Sequence, residues 1–249
     1  MNLLIVALLL STFSYWEFLL LFSRAVLSKE KALKSLLKYE RKAIQAIFLL
    51  FRRYRGFEPV SEGLAPSSFP ERFLLVANHQ SLLDIPVLMY LMPGDKRSRF
   101  VAKRELAWGI PLISLLLRKA GHGLVKRKGD ALNAMRSVTA MAKRCASEGY
   151  IPVIFPEGTR SRTGELGSFH SAGYRKILEV EALPILVAAV EGGRHVVTLK
   201  DFFRNFGKSP YRVRFVSILP PPKGRREALD ILAQARNLIA GALKEMGGV

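Results

Sequence analysis

The pattern of hydrophobic and polar positions changes near residue 70, and beyond that point short apolar runs alternate with longer helical patterns. Runs rich in β-branched and aromatic residues predict strands, and apolar residues recurring every three or four positions predict helices. The predicted strands lie near residues 73–77, 99–102, 123–126, 151–155, 184–190 and 211–218. The predicted helices lie near residues 81–92, 104–119, 130–147, 171–180 and 225–246. Such alternation indicates an α/β fold with a mixed, largely parallel sheet flanked by helices.

The first stretch of the chain has a different pattern. Residues 3–22 are almost wholly apolar, and Glu17 is their one charged residue. Twenty helical residues extend about 30 Å, close to the thickness of the hydrocarbon core of a bilayer. A carboxylate in the middle of a span is costly, so a membrane-spanning helix and a shallow dip into one leaflet both stay open. We predict that this segment attaches the chain to a membrane.

The next stretch predicts a basic amphipathic helix. Its apolar residues recur at helical spacing, and they are Leu33, Leu36, Leu37, Ile44, Ile47, Phe48 and Phe51. Its other side carries Lys34, Lys38, Arg41 and Lys42. This pattern is typical of a helix that lies in the membrane interface with its cations toward anionic lipid. The alternative is that the apolar face packs on the rest of the protein.

These patterns divide the chain into three parts. Residues 1–56 are predicted to form an N-terminal motif of two membrane-associating helices. Residues 56–70 contain three prolines, two glycines and three serines, a composition typical of loops, and residues 57–70 are therefore predicted as a linker. Residues 71–249 form the α/β domain.

The charge of the chain indicates an anionic partner. Lys and Arg number 39 against 20 Asp and Glu, a net charge of +19. Residues 1–56 alone contain ten Lys and Arg against three acids, where anionic membrane lipid would attract them. Aromatic residues do not interleave with the basic clusters as they do in surfaces that bind single strands, so we expect no nucleic-acid partner. Because the cations follow the apolar stretch, the positive-inside rule predicts a cell-membrane protein whose α/β domain faces the cytoplasm.

The candidate chemistry begins at residues 78–84, Asn-His-Gln-Ser-Leu-Leu-Asp, directly after a predicted strand. His79 and Asp84 are five positions apart, which is about 500° of ideal helix, so they would not share a helical face. We therefore predict His79 on the strand-to-helix turn and Asp84 in the first turn of the helix, reaching back to it. A carboxylate that fixes the imidazole tautomer makes a histidine a general base. A core histidine near a helix start is the alternative interpretation.

A second segment bears on the choice between a catalytic histidine and a core histidine. Residues 155–162, Phe-Pro-Glu-Gly-Thr-Arg-Ser-Arg, also follow a predicted strand. Together with residues 78–84, in this order, they resemble the motifs of the 1-acyl-sn-glycerol-3-phosphate acyltransferase family of glycerolipid acyltransferases. Residues 101–106 with 123–127 are similar to the second motif of that family, and residues 183–185 to the fourth. The resemblance covers roughly residues 70–190.

This resemblance implies an enzyme that moves a fatty acyl group from an acyl thioester to the sn-2 hydroxyl of lysophosphatidate, giving phosphatidate. The acyl-CoA or acyl carrier protein thioester would be a co-substrate, and no cofactor is expected. A thiol is a good leaving group, and the four histidines lack metal-ligand spacing, so we expect no metal. No Gly-x-Ser-x-Gly segment occurs, so we expect direct attack in a ternary complex. Cys145 lies in the middle of a predicted helix and is interpreted as an inert thiol.

The resemblance also implies roles for individual residues. The catalytic pair is His79 and Asp84, the phosphate of the acceptor is bound by Lys103, Arg127 and Arg160, and the site loop contains Glu157, Gly158 and Thr159. Arginine suits bidentate contacts with phosphate, whereas lysine acts as a point charge. Glu157 is interpreted as organising its loop rather than as a second catalytic group, because His79 already accounts for the proton transfer.

One departure from the family pattern keeps the acceptor open. The family usually has Phe-Lys-any-Gly after the third motif, whereas residues 169–173 read Phe-His-Ser-Ala-Gly. A lyso-ornithine lipid or another lysophospholipid is therefore an alternative acceptor. A membrane-tethered or nucleic-acid-binding protein without enzymatic activity is the alternative from another class.

Overall fold

The computed structural model describes residues 3–93, 97–126, 130–161, 163–196, 199–207 and 210–247. The strands are β1 Val60–Gly63, β2 Leu74–Ala77, β3 Ser98–Lys103, β4 Gly123–Val125, β5 Ile151–Ile154, β6 Ile185–Glu191 and β7 Arg212–Leu219. The helices are α1 Leu3–Val26, α2 Lys29–Arg55, α3 Asp84–Leu91, α4 Ile113–Lys119, α5 Ala131–Glu148, α6 Ser171–Leu178, α7 Leu199–Asn205 and α8 Arg225–Glu245.

The seven strands form one sheet in the order β1-β7-β6-β2-β5-β3-β4. Among the described strands, β6 and β7 are the one antiparallel pair. The predicted fold class, a mixed and largely parallel sheet flanked by helices, is therefore confirmed. All four residues of β2 and of β5 are buried, as expected for parallel strands that are covered on both faces.

The two faces of the sheet build two hydrophobic cores, because successive strand residues point to opposite faces. Leu74 and Val76 of β2 join the core with α5, α6 and α8. Leu75 and Ala77 join the other core, with α2, α3 and α7. The turn after β2 is therefore held between two packed layers, and it is this turn that carries His79.

Two predicted elements need correction. Residues 57–70, predicted as a linker, contain β1, which pairs in parallel with β7. Flanking prolines and glycines hide this four-residue edge strand in the pattern. The single helix predicted at 104–119 is divided into a 3-10 turn, Arg104–Ala107, and α4, because Gly109 adopts a φ of +83° and Pro111 has no N–H to donate. Helix α7 was not predicted.

The amphipathic helix α2 packs on the α/β domain. The rings of Phe48 and Tyr90 stack with their centroids 4.3 Å apart, and those of Phe51 and Phe206 are 4.4 Å apart. The prediction that this apolar face lies in the membrane is therefore wrong, and the packing alternative is right. The sequence pattern identifies the apolar face of a helix but not what covers it.

A buried ion pair also joins α2 to the sheet. Arg99 of β3 donates to both oxygens of Glu40 of α2, at 3.4 and 3.2 Å, and its guanidinium lies over the Tyr150 ring. Burial acts to raise the pKa of Glu40, but the charges of Arg99 and His122 outweigh it and hold that pKa below its ordinary value. The Glu40 carboxylate therefore stays ionised, and the ion pair joins α2 to β3.

Helix α1 has an uncovered apolar surface. It packs along α2 through residues such as Leu9 and Leu20, which are buried. Its other side exposes large apolar residues, namely Leu4, Leu8, Leu10, Tyr15, Phe18, Leu21, Phe22 and Val26. Among the described residues, Val6–Val26 is the one helix that is long and apolar enough to cross a membrane, by length and composition.

Candidate active site

The site begins at the turn between β2 and α3. Strand β2 lies between β5 and β6 and is parallel to both, so the carboxyl ends of the three strands meet at one edge, where sites of such sheets gather. Asn78 anchors the turn to β6, because its amide donates to the Val190 carbonyl at 2.9 Å and accepts from the Val190 N–H at 2.7 Å. This paired contact fixes where His79 stands.

His79 and Asp84 are in direct contact. Nδ1 of His79 lies 2.6 Å from Oδ2 of Asp84, and Asp84 is the first residue of α3, as the spacing predicts. An ionised carboxylate can only accept hydrogen bonds, so Nδ1 carries the proton and Nε2 keeps its lone pair. The Asp84 side chain is 0% exposed and the His79 side chain 14%, so part of the His79 side chain is open to solvent.

The Asp84 carboxylate has three further donors. Its Oδ2 accepts from the N–H groups of Gln80 at 2.8 Å and Ser81 at 2.9 Å, and its Oδ1 accepts from the hydroxyl of Tyr211. Hydrogen bonds to the charged form of a carboxyl group compensate for the loss of water. The arrangement therefore supports an ionised carboxylate in a fully buried position.

The loop after β5 holds the imidazole from the other side. One oxygen of Glu157 accepts from the His79 N–H at 2.7 Å, and the other accepts from the Gly167 N–H at 3.0 Å. The Ser161 N–H donates to the His79 carbonyl at 2.8 Å. The rings of His79 and Phe155 stack with their centroids 4.3 Å apart. The structure thus brings the first and third motifs together around one histidine.

Burial raises the pKa of Glu157 above its ordinary value, although the N–H groups of His79 and Gly167 oppose that shift. Its two oxygens join the turn of His79 to the segment of Gly167, and the organising role of Glu157 stays a prediction. Gly158 begins the tip of the loop with a φ of +66°, a conformation that favours glycine, and Thr159 follows on the exposed side.

The structure describes two of the three residues that were predicted to bind phosphate. Lys103 ends β3, and its amine lies 3.9 Å from the Glu105 carboxylate. Arg160 is half-buried and immediately precedes Ser161, whose N–H reaches His79. Arg127 lies outside the described residues. Lys103 and Arg160 therefore lie on segments that end at the same edge as His79, and phosphate binding by the three residues stays a prediction.

The segment that departs from the family pattern also belongs to this edge. His170 donates its backbone N–H to the Pro156 carbonyl at 2.8 Å, and its side chain is exposed. It directly precedes α6. An exposed imidazole therefore lies beside the third motif, at the position where the family usually has a lysine.

Sequence reasoning missed Tyr211, which lies 127 residues from its partner Asp84. No local signal marks it, because the contact depends on how β7 pairs with β6. It also missed the structural part of Asn78 and Gln80. Gln80 Nε2 donates to Glu191 at 3.0 Å, and Oε1 accepts from the Gly193 N–H at 3.1 Å. The polar residues around His79 in the first motif could have suggested such anchors.

Two further observations concern metal ions and the thiol of Cys145. Within the described ranges, no three His, Cys, Asp or Glu side chains are grouped so that they could hold a metal ion. Cys145 is buried in α5, and burial raises the pKa of its thiol to about 12, so a nucleophilic thiolate would be scarce near neutral pH.

Comparison with known proteins defines the class. The family model described as Acyltransferase matches residues 53–194, more than half of the chain. The chain therefore belongs to the acyltransferase family, and the matched range includes the turn of His79 and the loop of Glu157.

Individual relatives of the chain have names that are more specific than that of the family. The chain is 34% identical over 159 residues to a 1-acyl-sn-glycerol-3-phosphate acyltransferase of Cocos nucifera, covering 64% of this chain and 49% of that protein. It is 31% identical over 158 residues to the human 1-acyl-sn-glycerol-3-phosphate acyltransferase alpha, covering 63% and 51%. The chain thus spans about half the length of the curated relatives it matches.

A solved structure shares the fold. The crystal structure of the 1-acyl-sn-glycerophosphate (LPA) acyltransferase PlsC from Thermotoga maritima matches 97% of this chain and 95% of its own, with a TM-score of 0.70 and 23% identity. The match extends over the N-terminal helices as well as the sheet, so the arrangement of both parts recurs in that protein.

Proposed function

We propose that this protein transfers a fatty acyl group from an acyl thioester to the sn-2 hydroxyl of lysophosphatidate, giving phosphatidate. The observation that carries the proposal is the contact of His79 Nδ1 with Asp84 Oδ2 at 2.6 Å, inside the family's matched range. The names of the relatives from Cocos nucifera and human support the choice of acceptor.

The reaction follows from the free Nε2 of His79. The acceptor hydroxyl attacks the thioester carbonyl while Nε2 takes its proton, and Asp84 stabilises the imidazolium that forms. The tetrahedral intermediate then collapses, the C–S bond breaks, and the imidazolium returns the proton to the departing sulfur. An ester and a free thiol result, and His79 is neutral again. Both substrates are bound together, and no covalent acyl-enzyme forms.

The phosphate of the acceptor would be bound by cations at the same edge. Arg160 would supply a guanidinium beside the His79 backbone, and Lys103 a point charge from the end of β3. Arg127 would complete this group. Glu157, Gly158 and Thr159 would shape the loop that carries Arg160, and neither a metal nor a cofactor is required.

Membrane attachment would bring the enzyme to its lipid acceptor. The uncovered apolar side of α1 supports attachment to the cell membrane, with anionic lipid near the basic residues that follow it. The excess of Lys and Arg after α1 supports a catalytic domain that faces the cytoplasm. Whether α1 spans the bilayer or dips into one leaflet is a question for depth-dependent quenching of its Trp16.

The decisive experiment is an acylation assay with purified protein. Labelled acyl-CoA and acyl carrier protein thioesters are each offered with lysophosphatidate, a lyso-ornithine lipid and lysophosphatidylcholine, with His79→Ala as the inactive control. We expect phosphatidate as the main product. Failure to acylate lysophosphatidate while another lysolipid reacts would refute the acceptor, and no turnover with any pair would refute the reaction.

A different lysolipid acceptor is the second candidate, and residues 169–173 favour it. An exposed His170 stands next to the third motif where the family usually has a lysine, so the ammonium group of that lysine is absent there. A His170→Lys variant tests this directly. If lysophosphatidate is the natural acceptor, the added charge changes kcat/KM for it little, whereas a large gain would point to another acceptor.

A further inference from the structure

Tyr211 reaches the centre because β7 runs antiparallel to β6. The register pairs Arg212, the first residue of β7, with Glu191, the last residue of β6. The start of β7 therefore lies at the same edge as the carboxyl ends of β2 and β5. Tyr211 is fully buried there, and its hydroxyl donates to Oδ1 of Asp84.

The neighbouring turn leaves room for this ring. A Cβ on Gly193 would lie 3.0 Å from the Tyr211 hydroxyl and 2.9 Å from Cβ of Ser81. Gly192 adopts a φ of +91°, and a Cβ there would lie 2.0 Å from the Pro210 carbonyl. Two glycines thus allow the turn after β6 to pass over the tyrosine and the first motif together. The contact is built into the packing of three segments.

We propose that Tyr211 is a positioning residue of the catalytic centre, whose hydroxyl holds the Asp84 carboxylate in the orientation that serves His79. This inference rests on the proposed function. The Tyr211 hydroxyl donates to Asp84, and it acts on His79 through that carboxylate. The centre is then a chain of three side chains, and the outermost immediately precedes β7, a strand remote in sequence.

The division of donors between the two carboxylate oxygens explains why the hydroxyl matters. His79 and the backbone N–H groups of Gln80 and Ser81 all contact Oδ2. Tyr211 is the donor on Oδ1. Without that hydroxyl, a fully buried oxygen would lose its partner, which is costly for a charged group. The carboxylate would be driven to rotate toward other donors and away from the imidazole.

The Tyr211 hydroxyl also keeps the proton that it donates. Burial, followed by the charge of Asp84, raises the pKa of Tyr211 well above its ordinary value. The phenol therefore keeps its proton throughout the pH range in which a histidine can act as a base.

The chain offers a matched control in Tyr174 of α6. Tyr174 is also fully buried, but its hydroxyl has no hydrogen-bond partner among the described residues. Replacing either tyrosine by phenylalanine removes one buried hydroxyl and keeps the ring. An effect confined to position 211 therefore reports the contacts of this hydroxyl, with Asp84 and with the neighbouring Ser81, and not the loss of a hydroxyl from the core.

The kinetic test compares Tyr211→Phe with Tyr174→Phe in the full-length protein. We expect Tyr211→Phe to lower kcat by roughly 10- to 100-fold, the range for a hydrogen bond to a charged group, with KM for both substrates unchanged. Tyr174→Phe should keep kcat within about twofold, since it breaks no contact. In an Asp84→Asn background the second change should cost nothing further. Equal kcat in the two phenylalanine variants, or a change in KM alone, would overturn the assignment.

A spectroscopic test needs no turnover. The Nδ1 proton of His79, bonded to a carboxylate, should give a low-field proton resonance that is absent in His79→Gln. We expect this resonance to move, or to be lost to solvent exchange, in Tyr211→Phe and to stay in place in Tyr174→Phe. An unchanged resonance in folded Tyr211→Phe would refute the inference. If the parent protein proves inactive, this arm still decides the role of Tyr211 while the assay decides the function.

A third variant covers the case in which Tyr211→Phe does not fold, as judged by its melting curve. Incorporation of 3,5-difluorotyrosine at position 211 keeps the ring and strengthens the donor. The low-field resonance should then shift from its position in the parent protein. A folded difluorotyrosine protein with an unshifted resonance would equally overturn the proposal.

Discussion

His79 and Lys103 lie at the same edge of the sheet, but the protein constrains them to different degrees. His79 is held through its ring, its N–H and its carbonyl, by Asp84, Glu157, Ser161 and the Phe155 ring. The Lys103 side chain is 43% exposed, and its ion pair is a long one of 3.9 Å to Glu105. The His79 imidazole is therefore held in place before any substrate binds, whereas the Lys103 side chain can change its position.

This difference suggests two kinds of contribution to the proposed reaction. A group that is already held in its reactive position lowers the activation barrier, because it does not need to reorganise when the transition state forms. A mobile cation binds the ground state and the transition state about equally, which changes KM more than kcat. Substitutions in the two regions should consequently separate into effects on kcat and effects on KM.

The largest effect is expected for His79→Ala. Loss of the general base should lower kcat by about 10²–10⁴-fold. The amount of folded protein should change little, because the His79 side chain is partly exposed and belongs to neither hydrophobic core. The acylation assay and a melting curve measure both. His195→Ala is the matched control, since His195 is exposed and lies outside the pair. A His79→Ala protein with more than a tenth of parental kcat would contradict the proposed mechanism.

Asp84→Asn is expected to have the next largest effect on kcat. An amide at this position offers an N–H toward His79 Nδ1 or the Tyr211 hydroxyl, so the tautomer that leaves Nε2 free is no longer favoured. We expect kcat to fall by about 10²–10⁴-fold with KM nearly unchanged. The double variant His79→Ala with Asp84→Asn should be no worse than His79→Ala alone. Additive losses in that double variant would mean that Asp84 has a role independent of His79.

The sequence predicted the contact between His79 and Asp84 and much of the fold, because these depend on local relations. Five residues separate His79 from Asp84, and a strand followed by a helix start is sufficient to place them together. Strand ends at positions such as Lys103 also follow from the periodicity. Tyr211 could not be predicted, since its contact requires that β7 return antiparallel to β6.

The apolar face of α2 illustrates the same limit. Its residues are equally suited to lipid and to a protein core, and only the positions of α3 and α7 decide between them. Strand β1 was hidden for a different reason. An edge strand of four residues contributes little periodicity, and Gly63 at its end together with the flanking Pro59 and Pro66 is typical of a loop. Local pattern therefore predicts elements and motifs, whereas partners remote in sequence need the structure.

A third substitution sharpens the comparison at the boundary between the two regions. Glu157→Gln retains one oxygen for the His79 N–H or the Gly167 N–H, but sets an amide N–H against the other donor. We expect a loss of about 1–3 kcal/mol in the free energy of unfolding and a drop in kcat larger than the change in KM. Denaturant unfolding and steady-state kinetics measure these. Glu179→Gln is the control, because its carboxylate pairs with Lys176 at the surface. Equal stability of the two variants would remove Glu157 from the loop's supports.

The smallest effects are expected in the cationic region. Lys103→Ala and Arg160→Ala should each raise KM for lysophosphatidate by roughly 10-fold, as for a hydrogen bond to a charged group, and change kcat by less than about threefold. Lys103→Arg keeps the charge and should keep KM close to that of the parent, because a lysine acts on phosphate as a point charge. Raising the ionic strength should narrow the gap between Lys103→Ala and the parent, since an exposed charge is screened by salt. If Lys103→Ala instead lowers kcat as much as Asp84→Asn does, the cation belongs to the prepared centre and the proposed division between the two regions fails.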